Sequence, residues 1–139
     1  MKFSPALILS LTLVACSSPT SDEEKVRAVF ASAEAAAEDR DVGDVLELVD
    51  ARYADAQGNT RDSLRPFLHG YFALHPKLEL IVSVDELEFP VDGLARARVK
   101  VRGLELDRFS VGEAVLLNVE LRRDGSDWRV VRADRASGG

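Results

Sequence analysis

LELIVSVDELEFPVDGLARARVKVR, residues 78–102, is where the hydrophobic pattern of the chain changes to a period of two. Leu78, Leu80, Val82 and Val84 alternate along it; the phase then slips, and Leu87, Phe89 and Val91 continue on odd numbers. One extra residue near Asp85-Glu86, a β-bulge, accounts for the slip. Asp92-Gly93 is a hairpin signal. Beyond it Ala95, Ala97, Val99 and Val101 alternate with Arg96, Arg98, Lys100 and Arg102. The stretch therefore predicts two antiparallel strands that share one apolar face.

Downstream, Val115, Leu117, Val119 and Leu121 predict a third strand, Asp124-Gly125 a second hairpin, and Trp128 and Val130 a fourth strand. Residues 135–139 read as a frayed tail. Upstream the period is helical. Ser21 followed three residues later by Glu24 is a capping-box pattern, and Val26, Val29, Phe30, Ala33 and Ala37 predict a helix over roughly 22–39. Val42, Val45, Leu46 and Val49 predict a second helix to about Ala51. A turn-rich segment, Asp55 to Asn59, leads to a third, with Leu64, Phe67, Leu68, Tyr71 and Phe72 on one face. Pro66 fits a helix readily only in its first turn, which predicts a start near Asp62 or Ser63. Pro76 ends it. Three helices followed by a four-stranded antiparallel meander define an α+β class, with the helices on one face of the sheet.

The chain has 139 residues, 46% hydrophobic and 30% charged, which suits one soluble globular domain. Its formal net charge is −6. General nucleic-acid binding needs a basic footprint, so no nucleic acid is expected as a partner. The single cysteine, Cys16, excludes an intramolecular disulfide.

The first residues run from a positive Lys2 through an apolar stretch, Phe3 to Val14, to Leu13-Val14-Ala15-Cys16. The apolar run is too short to span a bilayer and has the order of a secretory signal. Its end resembles a bacterial lipobox. That resemblance implies a signal peptide over 1–15, cleaved before Cys16, with diacylglycerol on the Cys16 thiol and anchoring by several acyl chains. Residues 16–21 then form a short tether and 22–139 the single domain. Ser17 after the cysteine implies an outer-membrane location facing the periplasm.

The order of elements also resembles the nuclear transport factor 2-like superfamily, with its cone-shaped, cystatin-like fold, over roughly residues 22–135. The residues that carry the resemblance are Tyr53, Asp55 and Gly58 after the first two helices, Gly70-Tyr71-Phe72 before His75-Pro76, and the closing Trp128-Arg129-Val130-Val131. The resemblance implies a curved sheet around the helices and an apolar pocket at the open end. Superfamily members include isomerases, dehydratases, hydrolases and non-catalytic binding or dimerisation domains, so function has to be argued from the site. The polar segment from Gly103 to Gly112 reads as a long hairpin loop or a rim over the pocket.

Tyr53, Asp55 and Tyr71 are the candidate pocket residues. An aspartate there suits a general base, and a tyrosine suits a donor to a developing oxyanion. The structural alternative has Tyr53 filling the core edge while Asp55 starts a turn. His69 is expected to face solvent, and His75 sits at a helix C-terminus. Arg96, Arg98, Lys100 and Arg102 form a basic stripe that either contacts anionic lipid headgroups, polysaccharide or an acidic partner, or pairs with Glu79, Glu120 and Asp127 on neighbouring strands. No motif calls for a metal or another cofactor, and no catalytic set converges. The leading expectation is a non-catalytic envelope lipoprotein that binds a small apolar ligand or a protein partner. The alternatives are a pocket enzyme using Asp55 with Tyr53, and a dimeric or accessory assembly subunit using the outer sheet face.

Overall fold

The computed structural model describes residues 21–105, 110–111 and 114–137. The expected signal peptide, Cys16 and most of the tether lie outside them, as does part of the 103–112 segment. Helix α1 covers Asp22–Glu38, α2 Val42–Glu47 and α3 Arg61–Leu74; the strands are β1 Leu78–Val91, β2 Leu94–Glu105, the short β3 Ser110–Val111, β4 Val115–Asp124 and β5 Asp127–Arg135. The sheet order is β1-β2-β4-β5, with every pair antiparallel and β3 pairing only with β2. This is the expected α+β arrangement of helices and a four-stranded meander.

The bulge falls where the phase slip placed it. Val84 opposes Val99 and Glu86 opposes Arg98, so Asp85 is the extra residue. Two further irregularities follow, one between Glu88 and Val91 and one in β5, where Val131 is inserted between the partners of Leu121 and Glu120. Gly93 and Gly125 adopt the positive φ that closes the two hairpins.

Helix α1 packs on the apolar face of the sheet. Val26, Val29 and Phe30 are buried with Ala95, Ala97, Val99, Val119, Leu121 and Trp128 in one cluster. Ala37, Val42, Leu46 and Phe72 form a second cluster under α2 and α3. The N-terminus of α1 is capped by Ser21, whose side chain accepts from the Glu24 amide. Asp22 then accepts from Trp128 Nε1 at 3.1 Å and from Arg123 at 3.0 Å, while Arg123 also reaches Asp92 at 2.8 Å. One carboxylate thus ties the start of α1 to both hairpins.

The second helix is shorter than its hydrophobic pattern predicts. It stops at Glu47 because the next residues hook onto β5. The Val130 amide donates to Leu48 O, the Asp50 amide to Val130 O and the Ala54 amide to Val131 O. A strand edge offering unpaired groups takes precedence over helix continuation at Leu48 and Val49. The third helix starts slightly earlier than expected, at Arg61, through a reciprocal Thr60–Ser63 capping box. Pro66 consequently lies beyond the first turn and leaves the Asp62 carbonyl without its helical donor.

Helix α1 ends in a Schellman motif: the Arg40 amide donates to Ala37 O and the Asp41 amide to Ala36 O. Arg40 takes φ 54°, the left-handed conformation that favours glycine. The substitution Arg40→Gly is expected to stabilise the protein by about 1 kcal/mol, seen as a higher urea midpoint at unchanged slope.

Candidate functional site

The helix α1 changes from large to small residues along its buried face, from Val26, Val29 and Phe30 to Ala33 and Ala37. Beside the small residues the sheet and α3 stand apart, leaving an apolar cavity of about 400 Å³. Its walls are Ala33 and Ala37 of α1, Phe67 and Phe72 of α3, and Val99 and Leu117 of the sheet, among others. The volume is at the lower end of the range for small-molecule sites. Among the described lining residues only Glu34 and Tyr71 carry polar side chains. Tyr71 is 36% exposed and Phe67 62%, and their rings stack with centroids 6.1 Å apart, so both belong to the rim. Tyr71 continues on to His75, with centroids at 4.4 Å.

Tyr53 and Asp55 come together, but outside that lining. The Tyr53 hydroxyl donates to Asp55 Oδ2 at 2.8 Å and sits 3.4 Å from the carbonyl of Ala133. Burial, followed by the hydrogen bond to Asp55, pushes the phenol well above its ordinary pKa. Asp55 also accepts from the amides of Gln57 and Asn59 and from the Asn59 side chain. Burial pushes its carboxyl up, but hydrogen bonds from Asn59, Tyr53 and Gln57 outweigh this and hold it below the ordinary value. Asp55 therefore organises the turn before α3, a role that short polar side chains perform at such positions. It also borders a separate cleft of about 440 Å³ with Asn59, Asp134 and Arg135; Phe67 and Leu117 are shared between that cleft and the apolar cavity.

The basic stripe lies on the exposed sheet face, flanked by acids on both neighbouring strands. Arg96 meets Glu120 at 3.1 Å, Arg98 lies 4.0 Å from Glu86, and Lys100 lies 3.8 Å from the bulge residue Asp85. Arg102 faces Ile81 across the β1–β2 ladder. His69 is exposed on α3. A larger cleft of about 820 Å³ between α1 and the β4–β5 hairpin is open and is bordered by Lys25, Glu47, Arg61 and Asp127.

Three residues that sequence reasoning did not single out matter here. Asp50 is a buried acid, 5% exposed, that accepts from the Arg52 amide and guanidinium and fixes the hook onto β5. Glu34 accepts from the Val82 amide at 3.0 Å, and Glu38 from the Leu80 amide at 3.3 Å, so α1 covers outward amides of edge strand β1. Their spacing of four on α1 was visible in the sequence, but not the strand edge they meet.

No family model matches the sequence, and no curated protein matches it. Solved structures do. A cystatin-like-fold protein of unknown function from Nostoc punctiforme aligns with TM-score 0.71 at 11% identity, covering 82% of this chain and 89% of that one. An NTF2-like protein with a cystatin-like fold from Novosphingobium aromaticivorans aligns with TM-score 0.69 at 18% identity, covering 83% and 80%. This chain has a cystatin-like, NTF2-like fold. A putative scytalone dehydratase from Novosphingobium aromaticivorans also aligns, with TM-score 0.66 at 12% identity over 84% of each chain. The NTF2-like fold thus accommodates both proteins of unknown function and an enzyme class, and identities this low convey the fold alone.

The depressed Asp55 pKa has a stability consequence. Its folded pKa lies below the ordinary 3.8, so its contribution is complete above that value and is lost as pH falls through the folded pKa. The substitution Asp55→Asn is expected to flatten the fall in stability below about pH 4, measured by urea unfolding across an acid pH series.

Proposed function

We propose that the protein is a cell-envelope lipoprotein, anchored through Cys16, whose NTF2-like domain holds a small apolar molecule without chemical turnover. The observation that carries this reading is the cavity itself: about 400 Å³, walled almost wholly by apolar side chains, with rings of α3 at its rim. An apolar molecule of matching size gains dispersion contacts with a lining of this kind. Tyr53 and Asp55 support the non-catalytic reading, because each is engaged with the other or with the turn and neither belongs to the cavity lining. In this reading Cys16 and the short tether hold the domain at the membrane, and the soluble face meets ligand arriving through the periplasm.

The neutral fluorophore N-phenyl-1-naphthylamine is expected to bind the purified protein with enhanced emission. The substitution Ala33→Phe fills the cavity from α1 and is expected to abolish that enhancement while thermal unfolding stays cooperative. Equal emission from both proteins would remove the cavity as the binding site. In cells, Cys16→Ser is expected to move the protein out of the membrane fraction; retention there would remove the lipid anchor from the reading.

A further inference from the structure

Glu34 is the one acidic residue among the described residues that line the apolar cavity. Its Oε2 accepts from the Val82 amide at 3.0 Å. Its second oxygen has no protein partner among the described residues, and the half-buried residue stands among those that border the cavity. No arginine, lysine or histidine stands among the described lining residues. Tyr71 is the other polar lining group, and it sits at the partly exposed rim.

We propose that the cavity selects an apolar molecule whose single polar group is a hydrogen-bond donor, such as an alcohol, a phenol or an amine, and rejects carboxylates. This rests on the ligand-binding reading above and deepens it. A donor placed against the free oxygen of Glu34, where the half-buried residue borders the cavity, gains a charge-assisted hydrogen bond. A carboxylate in the same place meets a like charge, loses its own hydration and finds no cation in the wall. Helix α1 fixes the preference geometrically, because Glu34 is held by the edge of β1 and does not swing away without releasing the Val82 amide.

Three ligands with the same ten-carbon chain separate the possibilities: decanol, decylamine and decanoate, each displacing N-phenyl-1-naphthylamine at neutral pH. Decanol and decylamine are expected to displace the probe at concentrations about tenfold below that needed for decanoate. Glu34→Gln keeps an acceptor for the Val82 amide but removes the charge, and is expected to erase the advantage of decylamine over decanoate. If decanoate competes as well as decanol, or if Glu34→Gln leaves the order of the three unchanged, the charge preference is overturned while apolar binding stands. If the probe binds but none of the three displaces it, the preference is overturned while apolar binding stands; if the probe itself does not bind, the ligand-binding reading falls and the preference with it.

Discussion

The contact between Val26, Val29 and Phe30 of α1 and the small inward residues Ala95 and Ala97 of β2 sets the distance between the helix and the sheet. Methyl side chains on β2 allow the larger residues of α1 to approach closely, and the pair becomes the inner layer of the core. Everything else is placed relative to this contact. The same helix then carries Ala33 and Ala37 where its first half carries Val29 and Phe30. The sheet is kept at the earlier spacing, so space opens next to the small residues. The cavity is thus the product of a large-to-small gradient along one helix face.

An open four-stranded sheet has two edges, and each is met in part by other elements here. On β1 the carboxylates of Glu34 and Glu38 take outward amides. On β5 the segment after α2 supplies backbone partners at Leu48, Asp50 and Ala54. Uncovered edges invite pairing with another chain, and these contacts reduce the edge left open for it. The inserted residues Asp85 and Val131 each add local bend and twist where β1 and β5 meet the helical layer.

Several of the acidic side chains serve the fold directly. Asp22 joins α1 to the hairpins, Asp50 and Asp55 organise the connection between α2 and α3, and Glu34 and Glu38 serve the edge strand. These carboxylates accept from amides, an indole or a guanidinium. Hydrogen bonds to charged groups contribute more than neutral ones. The ion pairs along the exposed sheet face, such as Arg96 with Glu120, are solvent-screened and contribute little individually. Their effect is to balance the basic stripe of β2 locally, leaving Arg102 beside the apolar Ile81.

The sequence by itself determined the α+β class, the order of helices and strands, both hairpins and the bulge at Asp85. Each depends on local periodicity or on turn residues within a few positions of one another. It also placed Tyr71 on the face of α3 that carries Leu64, Phe67 and Leu68. Only the tertiary structure decided where α2 ends, because that depends on β5, some eighty residues further along the chain at Val130. It alone decided that Tyr53 and Asp55 bond to one another while Tyr71 joins a different lining, since spacing in the chain carries no information on which side of Phe67 a residue falls. Glu34 illustrates the same limit. Within a run of alanines on α1 it reads as an ordinary helix residue, and its meaning comes entirely from the Val82 amide and the cavity that the folded sheet brings beside it.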